Sequence, residues 1–231
     1  MTAIRKCLLS ALVFPAVPVL LALAADDTAR RPAPSLTRPA SAEKSPDADG
    51  FLQRWLILEP IGTNTPLTDN AVQAVVKTEY FPGQLEVVPR DGDKVKVNGA
   101  ELTWHAVDTK EYNVNLYHFA RALDQPTSYV LFWAVTIVNC PQEMTGVRLA
   151  IGSNAASVWW VNGQEVIGIY GDRQTVIDDG VSRRLTLKKG PNLVRCAVLN
   201  AGGATDFCAR FLDTEDKPLK GFTLSAGYVG K

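Results

Sequence analysis

The hydrophobic positions of this chain fall into short runs separated by Gly, Pro, Asn and Asp, a pattern typical of β-strands joined by turns. The runs cover residues 54–58, 85–88, 102–104, 129–138, 147–151, 158–161, 183–187, 193–199 and 207–212. The run 129–138 is apolar on both faces and rich in β-branched and aromatic residues, so it predicts a central strand covered on both sides. Together the runs predict one all-β sandwich rather than two domains.

Two adjacent tryptophans precede the sharpest turn signal in the chain. Asn162-Gly163 favours a type I′ hairpin, because both central residues of that turn need a positive φ. The hairpin would pair Trp160 with Glu165 and Trp159 with Val166. Since neighbouring strand residues face opposite sides, Trp159 is predicted to face the core and Trp160 the outer face, as a sugar platform or beneath another loop. A slip of one residue would exchange the two roles, and burial of both would mean that they serve packing alone.

Helical signals are short and few. Thr68 or Asp69 is a suitable N-cap for about two turns of helix ending near Lys77, and residues 117–123 could form one or two more turns. The predicted fold class is therefore all-β with one or two short helices.

The N-terminal residues have the composition of a leader followed by a linker. Arg5 and Lys6 precede an apolar run over 7–24 that ends in small residues, which predicts a secretory signal peptide at 1–24 and a secreted or periplasmic protein. A membrane anchor is the alternative, since the run is about as long as a bilayer span. Residues 25–50 are rich in Pro, Ala and Ser and predict a disordered linker, which leaves 51–231 as a single β-sandwich domain.

The charge balance restricts the partners. The 231 residues include 24 Lys plus Arg and 24 Asp plus Glu, so the formal net charge is zero. Loss of the leader would remove two basic groups and leave a slight acidic excess. Nucleic acids and anionic membranes need a basic face, so we expect no nucleic-acid partner and no membrane contact after cleavage.

Three cysteines follow the leader in what is predicted to be an oxidising compartment. If residues 200–204 turn as a hairpin about Gly202, Cys196 and Cys208 lie opposite each other at a spacing that suits a disulfide. The alternative is that both are small buried thiols. Cys140 has no predicted partner.

Four stretches occur in the order seen in a known family: 54–61 (RWLILEPI), 159–166 (WWVNGQEV), 187–194 (LKKGPNLV) and the region 200–213. They resemble secreted bacterial modules with a galactose-binding-domain-like jelly roll and are similar to the sugar-binding domain of glycoside hydrolase family 2 enzymes. The resemblance implies a jelly-roll β-sandwich and a non-catalytic carbohydrate-binding or accessory module that acts with polysaccharide-degrading enzymes. Relatives of this kind are often labelled acetylxylan esterases.

Motifs for hydrolytic chemistry are missing from the sequence. It has no Gly-x-Ser-x-Gly, His-Glu-x-x-His or Cys-x-x-Cys motif and no Gly-rich phosphate loop. A catalytic triad would have to use His105 or His118, and packing or surface roles suit both better. We therefore assign no catalytic residue, and a carbohydrate (acetylxylan) esterase is the weaker alternative.

A binding surface is better supported, because sugars stack their C–H faces on aromatic rings and pair their hydroxyls with charged side chains. The candidate ligand-binding residues are Trp160, Glu165, Tyr170, Asp172 and Arg173. Arg173 could also pair with the carboxylate of a uronic acid.

Asp178 and Asp179 could hold a structural calcium ion through oxygen ligands, and no other cofactor is expected. The expected ligand is a polysaccharide or oligosaccharide. The alternative function is a protein-interaction or structural jelly roll without a sugar ligand, whose exposed aromatic residues meet a partner enzyme or another subunit.

Overall fold

The structure is a computed structural model that describes residues 36–227. The predicted signal peptide and residues 25–35 of the predicted linker lie outside this range. The elements are β1 (Leu36–Thr37), β2 (Arg54–Leu58), β3 (Ile61–Gly62), α1 (Asp69–Lys77), β4 (Lys94–Val97), β5 (Ala100–Thr109), β6 (Val114–Asn115), α2 (Leu116–Ala122), β7 (Val130–Cys140), β8 (Met144–Asn154), β9 (Ala156–Val161), β10 (Gln164–Ile169), β11 (Gly180–Val181), β12 (Leu185–Leu187), β13 (Gly190–Asn200), β14 (Asp206–Leu212) and β15 (Thr223–Ser225).

The strands form two antiparallel sheets, which confirms the predicted all-β sandwich. Sheet A has the order β1-β5-β2-β7-β13-β9-β10, with β3 and β15 also paired to β7 and β4 paired to β5. Sheet B has the order β11-β8-β14-β6, with β12 paired to β8. The predicted strand at 85–88 is wrong, because these residues lie in turns and irregular backbone.

The inner core lies between the two sheets and is organised around three aromatic rings. The ring of Trp55 meets those of Phe207 and Trp159 nearly edge-on, at centroid distances of 4.9 and 6.0 Å. The rings of Trp159 and Phe207 are 5.5 Å apart. Edge-to-face contacts of this kind add to the free energy gained by burying the rings.

A second core covers the outer face of sheet A. Helix α1 and the segment 79–93, which we call the strap, pack on this face over Trp104, Trp133 and Trp160. Strand β7 is consequently buried on both faces, as its apolar run predicts. The sandwich thus has a third layer on one side.

Both helices form where the sequence predicts them. Helix α1 begins at Asp69, immediately after its N-cap residue Thr68. Helix α2 follows Asn115, whose side-chain oxygen accepts a hydrogen bond from the backbone N–H of His118 at 2.8 Å. This bond satisfies one of the free N–H groups at the helix start.

Residues 36–50, assigned above to a disordered linker, are part of the folded domain, so that prediction is wrong over this range. Leu36 is buried and pairs with Thr109 of β5. Lys44 forms a backbone bridge with Leu224. The composition of this stretch is poor in apolar residues, but its backbone pairs with strands that the rest of the chain supplies.

The predicted disulfide between Cys196 and Cys208 is wrong. Cys196 lies on β13 in sheet A, whereas Cys208 lies on β14 in sheet B, and both are buried free thiols, as is Cys140. The chain crosses from one sheet to the other after Asn200 instead of turning back as a hairpin. Burial raises the pKa of Cys208 to about 12.

Candidate functional site

The tryptophan hairpin has the predicted turn and nearly the predicted register. Trp160 pairs with Glu165, but a bulge between Glu165 and Ile167 places Trp159 opposite Ile167 rather than Val166. Trp159 is fully buried in the inner core, and Trp160 is 5% exposed on the outer face of sheet A. Trp160 therefore lies beneath another part of the chain, and its interpretation as a sugar platform is wrong.

The predicted ligand-binding residues separate into two groups. Glu165 and Tyr170 stay near Trp160 on the outer side of sheet A. Tyr170 packs against the second core, and its hydroxyl lies over Gly168, where a Cβ would collide with it. Burial raises the pKa of Tyr170, and the charge of Glu165 adds to that effect. Half-buried packing of this kind leaves little of the ring for a ligand.

The loop 171–179 lies on the other side of the sandwich, across the outer face of sheet B. The carbonyl oxygen of Val176 lies so close to Gly152 of β8 that a Cβ there would overlap it. The same Cβ would lie 3.1 Å from the sulfur of Cys208 on β14. The loop therefore rests directly on the sheet, at a position that only glycine allows.

Two ion pairs fix the end of this loop. Arg173 Nη1 lies 2.5 Å from Asp179 Oδ2. Arg210 of β14 donates from Nε to Asp178 Oδ1 at 3.0 Å and from Nη2 to Asp178 Oδ2. This fork-like pairing raises the pKa of Arg210 and holds Asp178 in one orientation.

The guanidinium of Arg210 also makes contacts that join the loop to the folded-back N-terminal segment. Its Nη1 donates to the carbonyl of Asp49 at 3.1 Å, and its Cζ lies 5.0 Å above the ring of Phe51. The ring of Tyr112 lies 5.6 Å from that of Phe51. Tyr112 is 40% exposed, so it presents an aromatic ring beside the ion pairs.

A third set of contacts joins the loop to β14 and to the segment before β6. The carboxylate of Asp206 accepts hydrogen bonds from Asn113 Nδ2, at 2.6 Å, and from the hydroxyl of Thr175. Burial raises the pKa of Tyr112, and the nearby charge of Asp206 contributes to the shift. We call this surface the open face; its exposed or partly exposed side chains are those of Tyr112, Asp172, Arg173, Val176, Ile177, Asp178, Asp179 and Arg210.

Sequence reasoning found the loop but missed the residues beneath and beside it. Tyr112 and Arg210 are far from the loop in sequence, and no motif connects them to it. Arg210 breaks the apolar run 207–212, and that break was the available signal. A charged residue in such a run points to a face that is not part of the core.

The predicted calcium ligands are already occupied by protein groups. Asp178 pairs with Arg210 and Asp179 with Arg173. Within residues 36–227, no three His, Cys, Asp or Glu side chains come together as a metal site. Because calcium takes six to eight oxygen ligands, binding there would require breaking both ion pairs, and the calcium site stays a prediction.

Among the described residues 36–227, no hydrogen bond joins either histidine ring to a serine or cysteine side chain. His105 Nε2 lies 3.0 Å from Glu59 Oε1, and its ring meets Phe119 at 5.7 Å. His118 is exposed on α2, where its ring lies 5.9 Å from that of Tyr117.

A cavity of about 600 Å³ lies elsewhere, between the folded-back residues 43–47 and the end of β7. Two carboxylates, those of Glu43 and Asp47, line it. The carboxylate of Glu43 accepts a hydrogen bond from Thr223 Oγ1 at 2.7 Å, and Phe222 is buried behind it. The cavity lacks an exposed aromatic ring, which is why the open face is the stronger candidate for a sugar.

Fold and site together define an antiparallel two-sheet sandwich whose open face is covered by a loop and carries one exposed aromatic ring. No family model matches the chain, and no curated protein matches it. No helix within residues 36–227 has the length and apolar character needed to cross a bilayer.

Some solved structures are similar to the chain. One is the PA14 sugar-binding domain from an RTX adhesin, with 14% identity, 76% of this chain and 100% of that chain covered, and a TM-score of 0.46. Another is the PA14 domain of the MpAFP antifreeze protein, with 12% identity, 83% and 99% coverage, and a TM-score of 0.43. A β-glucosidase from Kluyveromyces marxianus in complex with glucose has 18% identity, 53% and 16% coverage, and a TM-score of 0.34. Similarity at this level assigns neither a family nor a ligand.

Proposed function

We propose that the protein is a carbohydrate-binding module and that the open face is its binding surface. The observation that carries this proposal is the exposed ring of Tyr112 beside two oriented arginine–carboxylate pairs on one face of the sandwich. Aromatic rings stack on the C–H faces of sugars, while oriented charged groups pair with the hydroxyls. A sugar ring on Tyr112 would have both kinds of partner.

The two ion pairs differ in what they offer a ligand. Arg210 is held by Asp178, Asp49 and Phe51, so it keeps its position and supports the surface. Arg173 makes one contact, with Asp179, and both side chains are partly exposed. Arg173 and Asp179 can therefore turn toward ligand hydroxyls. An acidic sugar could replace Asp179 as the partner of Arg173.

The wider role follows from the N-terminal leader pattern and from the resemblance to galactose-binding-domain-like modules. We infer a secreted or periplasmic accessory protein, without catalysis of its own, that brings polysaccharide-degrading enzymes to their substrate. The same resemblance to glycoside hydrolase family 2 and acetylxylan esterase relatives makes an esterase the weaker alternative. Acetate release from acetylated xylan, lost in His105→Ala or His118→Ala, would favour that alternative.

A glycan array on the mature protein, followed by calorimetry on each hit, tests the proposal. We expect Tyr112→Ala and Arg173→Ala each to weaken binding at least about tenfold, which corresponds to about 1.4 kcal/mol. Tyr129→Ala is the matched control, because Tyr129 is 53% exposed immediately before β7 of sheet A. The proposal fails if no glycan binds, or if both variants at the open face leave a hit unchanged.

A second function is favoured by the aliphatic side chains of the loop. Val176 and Ile177 are 55% and 44% exposed, and aliphatic groups suit a protein surface better than a hydroxylated ligand. If the array finds no ligand and a protein partner is captured by the wild type but not by the double variant Val176→Asp, Ile177→Asp, the open face is a protein-interaction surface.

A further inference from the structure

Two arginine side chains are almost fully buried within residues 36–227, and their surroundings differ. Arg54 and Arg195 are each 1% exposed. Arg54 donates from Nε and Nη2 to the two carboxylate oxygens of Asp108, at 2.8 and 2.9 Å, and from Nη1 to the carbonyl of Ser41 at 2.9 Å. Arg195 donates from Nη2 to the carbonyl of Val87, while its Nε and Nη1 have no partner among the described residues.

Arg195 is held on the outer face of sheet A, beneath the strap. It lies on β13 directly opposite Val135 of β7 and Trp160 of β9. Burial lowers the pKa of Arg195 to about 10, so the guanidinium is still positively charged at pH 7. A charge that has lost its water needs a counter-charge or a full set of hydrogen bonds. Arg54 has a counter-charge and hydrogen bonds from all three of its nitrogens, whereas Arg195 has a single hydrogen bond, to the carbonyl of Val87.

Two further donors on this face are also unpartnered. The indole nitrogens of Trp104 and Trp133 are buried without a hydrogen-bond partner in the described part of the chain. Trp133 pairs with Ala197, two residues along β13 from Arg195, so it is a diagonal neighbour of Arg195 on the same face. Guanidinium and indole groups only donate. A ligand that only accepts hydrogen bonds would supply the missing partners of Arg195 and of its neighbour Trp133.

We propose that Arg195 is the anchor of a binding site for one small anion, a carboxylate or an inorganic oxyanion, beneath the strap. The strap accepts a hydrogen bond from this guanidinium through the carbonyl of Val87. An entering anion would compete with that carbonyl for the guanidinium. The site lies on the opposite outer face of the sandwich from the open face. It is therefore independent of the proposed carbohydrate site.

Thermal unfolding of the full mature chain tests this site, with sodium acetate and sodium sulfate titrated at ionic strength matched with sodium chloride. A bound anion raises the unfolding midpoint along a saturating curve, whereas general stabilisation by sulfate grows steadily with concentration. We expect a saturable rise of several degrees with at least one of the two anions. A saturable rise with acetate would identify a carboxylate as the ligand, and one with sulfate would identify an inorganic oxyanion.

Arg195→Met should remove the saturable rise, and Arg183→Met should keep it. Arg183 is the matched control because its side chain is exposed. The proposal is overturned if the wild type shows no saturable rise, or if Arg195→Met keeps it.

A second measurement does not depend on a variant that folds. Crystals of the wild type grown with selenate, whose position is given by anomalous scattering, should show the anion within hydrogen-bond distance of Arg195. Protein or water atoms at that position, both in crystals grown with selenate and in crystals grown with acetate, would overturn the proposal.

Discussion

The two outer faces of the sandwich carry different residues and are covered in different ways. The outer face of sheet A holds three tryptophans, and α1 and the strap bury all of them. The outer face of sheet B carries Gly152, Cys208 and Arg210, and a loop fixed by ion pairs lies on it. Of the two rings beside this loop, that of Phe51 is buried and that of Tyr112 is exposed.

This difference shows that exposure of a ring depends on what covers the sheet, not on where the ring falls in the strand pattern. Trp160 is on an outer face by its register, yet α1 and the strap turn that face into a second core. A layer of apolar side chains from two distant segments buries large rings. A polar loop that meets the sheet through glycine and arginine leaves side chains accessible.

The largest expected effect is a loss of stability when a buried ring is removed from the outer face of sheet A. Trp133→Ala should lower the free energy of unfolding by about 3–5 kcal/mol, because it removes a fully buried ring and leaves a cavity beneath α1. Urea unfolding followed by circular dichroism measures the change. Tyr112→Ala on the open face should cost about 1 kcal/mol or less, since that ring is partly exposed. Equal losses in the two variants would remove the distinction between the faces.

An intermediate effect is expected where the loop meets sheet B. Gly152→Ala places a methyl group against the carbonyl of Val176 and should cost about 1–3 kcal/mol, as overpacking does. Gly62→Ala is the control, because a Cβ there meets nothing within 4 Å. Since the loop must move, we also expect Gly152→Ala to weaken glycan binding more than its stability loss explains. Unfolding curves and calorimetry on the two variants check both points.

A smaller effect is expected at the exposed ion pair. Arg173→Ala should change the free energy of unfolding by only about 0–1 kcal/mol, because partly exposed ion pairs contribute little. Its effect on ligand binding should be much larger than its effect on stability. A loss of stability similar to that of Trp133→Ala would instead assign Arg173 to the framework of the fold.

The smallest expected effect is a difference in thiol labelling between the loop-covered face and the inner core, measured in the wild type. Cys208 lies beneath the loop of the open face, whereas Cys196 lies in the inner core between the two sheets. The raised pKa values keep both thiols protonated near pH 8, and thiol reagents need the thiolate. We expect slow labelling in the native state, with Cys208 reacting at least about tenfold faster through local opening of the loop. Mass spectrometry of labelled peptides measures the two rates, and equal rates would mean that the loop does not open independently.

The sequence patterns predicted the class of fold because apolar runs and turn residues are local signals. The Asn162-Gly163 turn gave the pairing of Trp160 with Glu165 to the residue, and the double-sided run at 129–138 gave the central strand. The bulge after Glu165 could not be predicted, since one extra residue changes the register without changing the composition.

The site was only partly predictable because it is assembled from segments far apart in sequence. The loop residues Arg173 and Asp179 are only six positions apart in the sequence. The fold alone brings Arg210, Phe51 and Tyr112 to the same surface. The disulfide prediction assumed a hairpin at Gly202 where the chain changes sheets. Only tertiary contacts distinguish those two courses.

The pairing of β1 with β5 determines how far the chain can be shortened. Strand β1 pairs with residues 108–109 of β5 and strand β4 pairs with residues 100–103, so each covers part of one edge of β5. Trimming the chain to Phe51, where the composition changes, would remove β1 and expose the edge of β5 that it covers. It would also remove the carbonyl of Ser41 that accepts a hydrogen bond from Arg54. Exposed strand edges recruit strands from other molecules, so trimming there is expected to increase self-association of the protein.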